Sequence, residues 1–154
     1  MLLKTTQKIV ELKYKTKRIV NITRDTKYKS LEELYFDAMS KYDVEALAKI
    51  IMYFGEDKDT GFLVFDSTEE KDVEAVYDFI DDYMQENKKT YEDVFKEIAE
   101  DINNQGFFNK KMTKEELSSK ISNYITLDLN KAISDATQKA VSDFVENEMK
   151  ISKG

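Results

Sequence analysis

The sequence predicts a mainly α fold: a compact helical domain with a small N-terminal β element and a long C-terminal helical region. Apolar residues recur at three- and four-residue steps over most of the chain. Residues suited to cap helices precede several of these stretches, and strict alternation is confined to the N-terminal part. We assign residues 1–112 to a helical domain with an N-terminal strand. Residues 113–154 form a C-terminal helical extension that packs on this domain or on a partner.

The β element is predicted near the N-terminus. Val10, Leu12 and Tyr14 alternate with charged residues, which is typical of a half-buried strand. The next stretch, residues 16–26, is ambiguous. Its β-branched residues favour a second strand by propensity, whereas Thr16 could equally cap a short helix. The sequence leans towards a strand and leaves the choice open.

Two close helices follow. Ser30 and Glu33 form a capping box at the start of the first, and Asp43 can cap the second. Gly55 marks the end of the second helix. The inward-facing residues are predicted to be Leu31, Leu34, Tyr35, Ala38 and Met39, then Val44, Leu47, Ala48, Ile51 and Phe54.

The stretch from 56 to 67 is irregular and superficially similar to a calcium-binding loop. An EF-hand register that places Gly61 sixth puts Lys58 among the ligands, and a start at Asp57 puts Phe62 at the glycine position. Both registers fail, so we predict no metal site. The apolar run 62–65 is either a small strand or a loop packed on the core.

The centre of the chain predicts two amphipathic helices that fold back on each other. Thr90 can cap the second, and Gly106 supplies a left-handed stop. Their apolar stripes comprise Val73, Val76, Tyr77, Ile80, Tyr83 and Met84, then Tyr91, Val94, Phe95, Ile98, Ala99 and Ile102. Phe107 and Phe108 come next. We expect at least one of them to pack back on the helix end and the other to serve as a contact anchor for a partner.

The C-terminal region begins with a second capping box at Thr113 and Glu116. A narrow apolar stripe runs along it and includes Ile133, Ala140 and Phe144. We expect this long tail to dock on its own domain or on another molecule, and we assign these three residues to partner binding.

Charge is divided unevenly along the chain. Residues 1–30 contain nine basic and two acidic residues, whereas the remainder contains fifteen basic and twenty-nine acidic residues. Three interpretations fit this asymmetry. The basic end could be an arm for nucleic acid, the charges could form a solvated surface without a special role, or one copy's basic end could contact another copy's acidic body. The acidic majority disfavours nucleic acid. For self-association, the candidate residues are Lys13, Lys15, Lys17 and Arg18.

Catalysis is not predicted. The chain contains no Cys and no His, which removes thiolate nucleophiles, Ser-His pairs and the commonest zinc ligands. The paired carboxylates Asp81–Asp82 and Glu69–Glu70 are predicted to lie on a solvated helix face, and no phosphate-binding glycine loop is present. We expect no catalytic, cofactor or metal site. With no predicted signal peptide and no apolar run long enough to span a membrane, we expect a cytoplasmic protein.

Several stretches carry a resemblance to a known family: KRIVNI at 17–22, SLEEL at 30–34, DVEALAKII at 43–51, AVYDFIDDY at 75–83, TYEDVFKEI at 90–98 and GFFNKKMT at 106–113. In this order they resemble the tail assembly chaperones of long-tailed phages and prophages of Gram-positive bacteria. The resemblance implies a mainly helical fold and a helix at residues 16–26.

It also implies a non-catalytic protein that acts in the cytoplasm of the bacterial host and is absent from the mature virion. Such a protein binds the tape-measure protein, keeps its long helices soluble, helps recruit tail tube subunits and forms homo-oligomers. The alternative is an acidic inhibitor or DNA mimic that presents the Asp-Glu face of residues 69–101 to a nucleic-acid enzyme.

Overall fold

The computed structural model describes residues 1–123, 133–134 and 136–141. Up to residue 104 its elements are, in chain order, β1 (Leu2–Lys4), β2 (Ile9–Leu12), α1 (Thr16–Asp25), α2 (Leu31–Lys41), α3 (Val44–Phe54), β3 (Gly55–Glu56), α4 (Glu70–Asn87) and α5 (Tyr91–Asn104). Residues 114–123 are also helical. The prediction of a mainly α fold with a small N-terminal β element is confirmed.

The sheet is antiparallel and has the strand order β1-β2-β3. Its inner face presents Leu3, Val10 and Leu12 to the core, and none of these side chains is exposed to solvent. The alternation predicted for β2 is therefore confirmed. β1 and β3 contain only three and two residues, which is too short for a periodic sequence signal.

The ambiguous stretch forms α1, so the leaning towards a strand was wrong. Ile19 and Ile22 lie three residues apart and can share one helix face, and Ile22 is fully buried where α1 packs on α3. This burial outweighs the β-propensity of the branched side chains. Thr16 is the first helical residue, and the preceding Lys15 occupies the cap position without a side-chain hydrogen bond.

α2 and α3 form a neighbouring pair as predicted, but the capping box at Ser30 is incomplete, because the Glu33 carboxylate accepts a hydrogen bond from the Lys29 amide at 3.2 Å and not from the Ser30 amide. The Ser30 side chain accepts a hydrogen bond from the Glu33 amide at 3.1 Å, and Asp43 caps α3 in the same way. Gly55 ends α3 with an ordinary φ of −79°, so it does not supply a left-handed stop. A Cβ there would lie 2.4 Å from the Ile51 carbonyl oxygen. The glycine thus permits the close approach of β3 to α3.

The central helices α4 and α5 pack on α3 and α2, respectively. The predicted cap at Thr90 is present and belongs to a full capping box, since the Thr90 side chain and the Asp93 carboxylate each accept a hydrogen bond from the other residue's amide. One predicted core residue is wrong: Tyr77 is 36% exposed, and Phe79 is buried in its place, 5.7 Å from the Phe65 ring. The buried stripe of α4 is therefore rotated from the predicted one.

A short hairpin connects α3 to α4. Glu56 pairs with Leu63, and the Asp57 carboxylate accepts hydrogen bonds from the amides of residues 59 and 60 at 2.9 and 3.0 Å. Gly61 has a φ of +72°, which favours glycine in this tight loop. The hairpin leaves Phe62 76% exposed, whereas Phe65 enters the core.

Candidate functional site

The first part of the C-terminal region is anchored to the body of the protein. Leu117 and Ile121 are buried in the core, at 3% and 6% exposure. Lys120 forms an ion pair with Glu32 of α2, and its ammonium lies 4.9 Å from the centre of the Phe36 ring. The predicted extension therefore packs on its own domain over residues 114–123.

Further along the chain the described residues are exposed. Positions 133–134 and 136–141 are helical, and every one of them is exposed to solvent. Ile133 and Val141 have 57% and 58% of their surface exposed, and Ala140 is exposed beside them. Phe144, the third residue assigned to partner binding, lies outside the described residues. An apolar helical surface of this kind is available to a partner.

Phe107 and Phe108 both pack against the core, Phe108 fully and Phe107 in part. Phe108 is 6% exposed, and its ring centre lies 5.4 Å from that of Phe36. Phe107 is partly buried against the core and lies 6.2 Å from the Tyr14 ring. The expectation that at least one ring packs back is confirmed by Phe108, whose burial leaves it no surface for a partner, and a contact of the partly buried Phe107 with a partner stays a prediction. The left-handed Gly106 (φ +79°) precedes the two rings, which enter different aromatic groups.

Three of the four residues assigned to self-association form ion pairs within the chain, two of them with the same carboxylate. Lys15 Nζ and Arg18 Nη1 each lie 2.5 Å from Oε1 of Glu56, whose residue is only 5% exposed. The Arg18–Glu56 contact is a charge pair without hydrogen-bond geometry. Arg18 Nη2 also donates to the Gly61 carbonyl at 3.4 Å. These side chains hold α1 against the hairpin, so both charges are engaged within the chain, and their assignment to an intermolecular contact stays a prediction.

The remaining members of this set are Lys13 and Lys17. Lys13 forms an ion pair with Glu11 at 3.1 Å and keeps 45% of its side chain exposed, and Lys17 is exposed. Sequence reasoning did not identify the exposed apolar residues Leu2 and Ile9 in the same region. The alternation of β2 contained a signal for Ile9, because it places Ile9 on the same outward face as Glu11.

Negative charge is concentrated on α4, which contains seven acidic residues and one lysine. Glu70, Glu74, Asp78 and Asp82 recur every four residues and are all exposed, as the sequence predicts for a solvated face. None of these four forms an ion pair with another described residue. The result is a continuous acidic stripe.

Several titratable groups serve to hold elements together. Burial and the neighbouring Glu97 carboxylate raise the pKa of Tyr83 to about 12, and the two side chains join α4 to α5 through a 3.2 Å hydrogen bond. Hydrogen bonds from Thr90 lower the pKa of Asp93, whose carboxylate caps α5. These shifts therefore reflect contacts that stabilise helices.

Over the described part of the chain, no three His, Cys, Asp or Glu side chains are grouped in a way that could hold a metal ion. No helix in that part is both long enough and apolar enough to cross a membrane. No protein-family model, no curated protein and no solved structure matches the chain.

Proposed function

We propose that the protein is a tail assembly chaperone of a long-tailed phage or prophage. It binds the tape-measure protein without catalysis, keeps that protein soluble and helps recruit tail tube subunits. Its place of action is the cytoplasm of the bacterial host, and it leaves before the virion is complete. The sequence resemblance suggests this family, and the exposed C-terminal helical segment is the observation that carries the proposal.

The exposed segment suits a helical client. Complete burial of an Ile or Val side chain contributes about 1.5–3 kcal/mol, so covering the exposed halves of Ile133 and Val141 would contribute about 1 kcal/mol each. A client helix with an apolar face can supply this cover through helix-to-helix packing. The acidic outer surface of the protein would keep the resulting complex dispersed through charge repulsion.

Co-expression with the tape-measure protein tests the proposal. The wild-type chain should raise the soluble fraction of that protein, and the double variant Ile133→Asp/Val141→Asp should abolish the gain. A matched control, Gln138→Asp/Lys139→Gln, makes the same change in net charge on polar residues of the same segment and should retain the gain. No gain with the wild-type chain, or equal loss in both variants, would refute the proposed role.

The acidic stripe of α4 favours a second candidate, an inhibitor that mimics DNA. Carboxylates four residues apart on a helix are separated by about 6 Å, so they form a regular line of negative charge. Such a protein should displace duplex DNA from a purified host nuclease or repressor in a fluorescence anisotropy assay. Glu74→Gln/Asp78→Asn should weaken this displacement, and no displacement by the wild-type chain would exclude the candidate.

A further inference from the structure

The helical residues 114–123 form a strap that buries few side chains. Leu117 and Ile121 are buried, Lys120 is half-buried, and the other seven residues of the strap are exposed. By contrast, α5 buries six of its residues. Helices in proteins are stabilised mainly by packing of their apolar face, and a free helix as short as residues 114–123 is marginal in water. The folded state of the strap therefore depends on its seat on the body of the protein.

The segment before the strap is held more firmly. The Asn103 side chain donates to the Met112 carbonyl at 2.7 Å, and the Met112 amide donates to Asn103 Oδ1 at 2.8 Å. A complete capping box then begins the strap, since the Thr113 amide donates to Glu116 Oε2 at 3.3 Å and the Glu116 amide donates to Thr113 Oγ1 at 3.2 Å. These contacts fix the chain at residue 112, so the strap can leave the body without disturbing the loop before it.

The strap lies in a groove between α2 and α5. Its Lys120 pairs with Glu32 of α2, and a cleft of about 120 Å³ remains where Leu117 and Ile121 approach α5. Leu117 and Ile121 are four residues apart, and Lys120 lies on the same side of the helix between them. The groove therefore accepts an amphipathic helix that has two apolar residues four positions apart and a basic residue between them.

We propose that the strap opens as a unit while the rest of the domain stays folded, and that a helix of the client replaces it in the groove. This inference rests on the proposed function and adds a second contact surface to it. A client helix longer than the strap would bury more than two apolar side chains, and larger side chains would fill the cleft beside α5. Without a client, the strap keeps the groove covered, and a client shifts the equilibrium towards the open state.

Native-state hydrogen exchange of the full-length chain, read at single amides by NMR, tests the opening. The strap amides at 118–123 should have protection factors at least about a hundredfold lower than the α5 amides at 98–102, because local opening releases them without unfolding of the domain. Equal protection of the strap and α5 would overturn the proposal, since the strap would then open only with the whole domain.

Lys120→Gln tests the contact that closes the strap. It should lower strap protection at least about threefold and leave α5 unchanged, because a partly buried ion pair and the contact with the Phe36 ring are lost. Lys114→Gln is the matched control, because it removes the same charge from an exposed position in the first turn of the strap. It should not lower strap protection, since a basic residue at the start of a helix is unfavourable. Equal effects of the two variants would overturn the role of the ion pair.

Addition of a helical segment of the tape-measure protein tests the replacement. At saturation, strap protection should fall by at least about tenfold, whereas α5 should be unaffected. A fluorophore on Ala140→Cys follows docking on the exposed segment separately. A blue shift at 140 with unchanged strap exchange would overturn the replacement and leave the proposed function standing. Faster strap exchange without a shift at 140 would refute only the docking surface of the proposed function, and no change in either measurement would refute both proposals.

Discussion

Replacing Phe108 with alanine should lower the free energy of unfolding by about 3–5 kcal/mol. The ring is 6% exposed and lies against Phe36 and Tyr35, with ring centres 5.4 and 6.0 Å away. Removing it forfeits nearly the whole transfer free energy of a Phe side chain, leaves a cavity in the core and breaks two aromatic contacts. The loss would be a large fraction of the stability of a domain of this size.

Urea unfolding followed by far-UV circular dichroism measures this loss. Phe62→Ala is a matched control, because it removes the same ring from a position that is 76% exposed, and it should change the free energy of unfolding by less than about 0.5 kcal/mol. Phe107→Ala should fall between the two, since that ring is partly buried. A loss below about 1 kcal/mol for Phe108→Ala, or equal losses at 62 and 108, would refute the assignment of Phe108 to the core.

Three further substitutions test contacts that stabilise the ends of helices. Asn103→Asp should cost about 1–3 kcal/mol in urea unfolding, because the amide donates to the Met112 carbonyl at 2.7 Å and a carboxylate cannot; an unchanged midpoint would contradict this. Gly55→Ala should lower the melting temperature by an amount equivalent to about 1–3 kcal/mol, since its Cβ would collide with the Ile51 carbonyl; a fully stable variant would show that β3 can shift. The lowered pKa of Asp93 means that its stabilising contribution is complete above the unfolded-state pKa of about 4 and is lost as the pH falls through the lower folded-state value. Asp93→Asn should therefore show a smaller loss of stability than the wild-type chain between about pH 5 and pH 3, and identical pH profiles would contradict this contribution.

Local sequence signals were sufficient to predict most helices. The starts of α2, α3 and α5 could be identified because Ser30, Asp43 and Thr90 satisfy backbone amides within three residues of themselves. α1 was less clear, because its branched residues favour a strand and its helical state depends on burial of Ile22 against α3. On α4, the burial of Phe79 in place of Tyr77 likewise depends on a residue from another part of the chain, Phe65.

Predicting which candidate site residues are accessible required knowledge of contacts between residues far apart in the sequence. Lys15 and Arg18 carry the charge expected of a self-association surface, yet Glu56, about forty residues later, pairs with both. No sequence periodicity reveals such a pairing. The burial of Phe108 likewise depends on a residue far away in the sequence, Phe36 of α2. By contrast, the acidic stripe of α4 and the exposed position of Ile9 follow from local periodicity alone.

The proposed binding of the tape-measure protein can be measured directly at Ala140. The chain lacks cysteine, so Ala140→Cys and Gln138→Cys each provide one site for an environment-sensitive fluorophore, and the two positions point to nearly opposite sides of a helix. On addition of a helical segment of the tape-measure protein, the emission of the label at 140 should shift to the blue while the label at 138 changes little. No shift at 140 with saturating segment, or equal shifts at both positions, would contradict docking of a client on this surface.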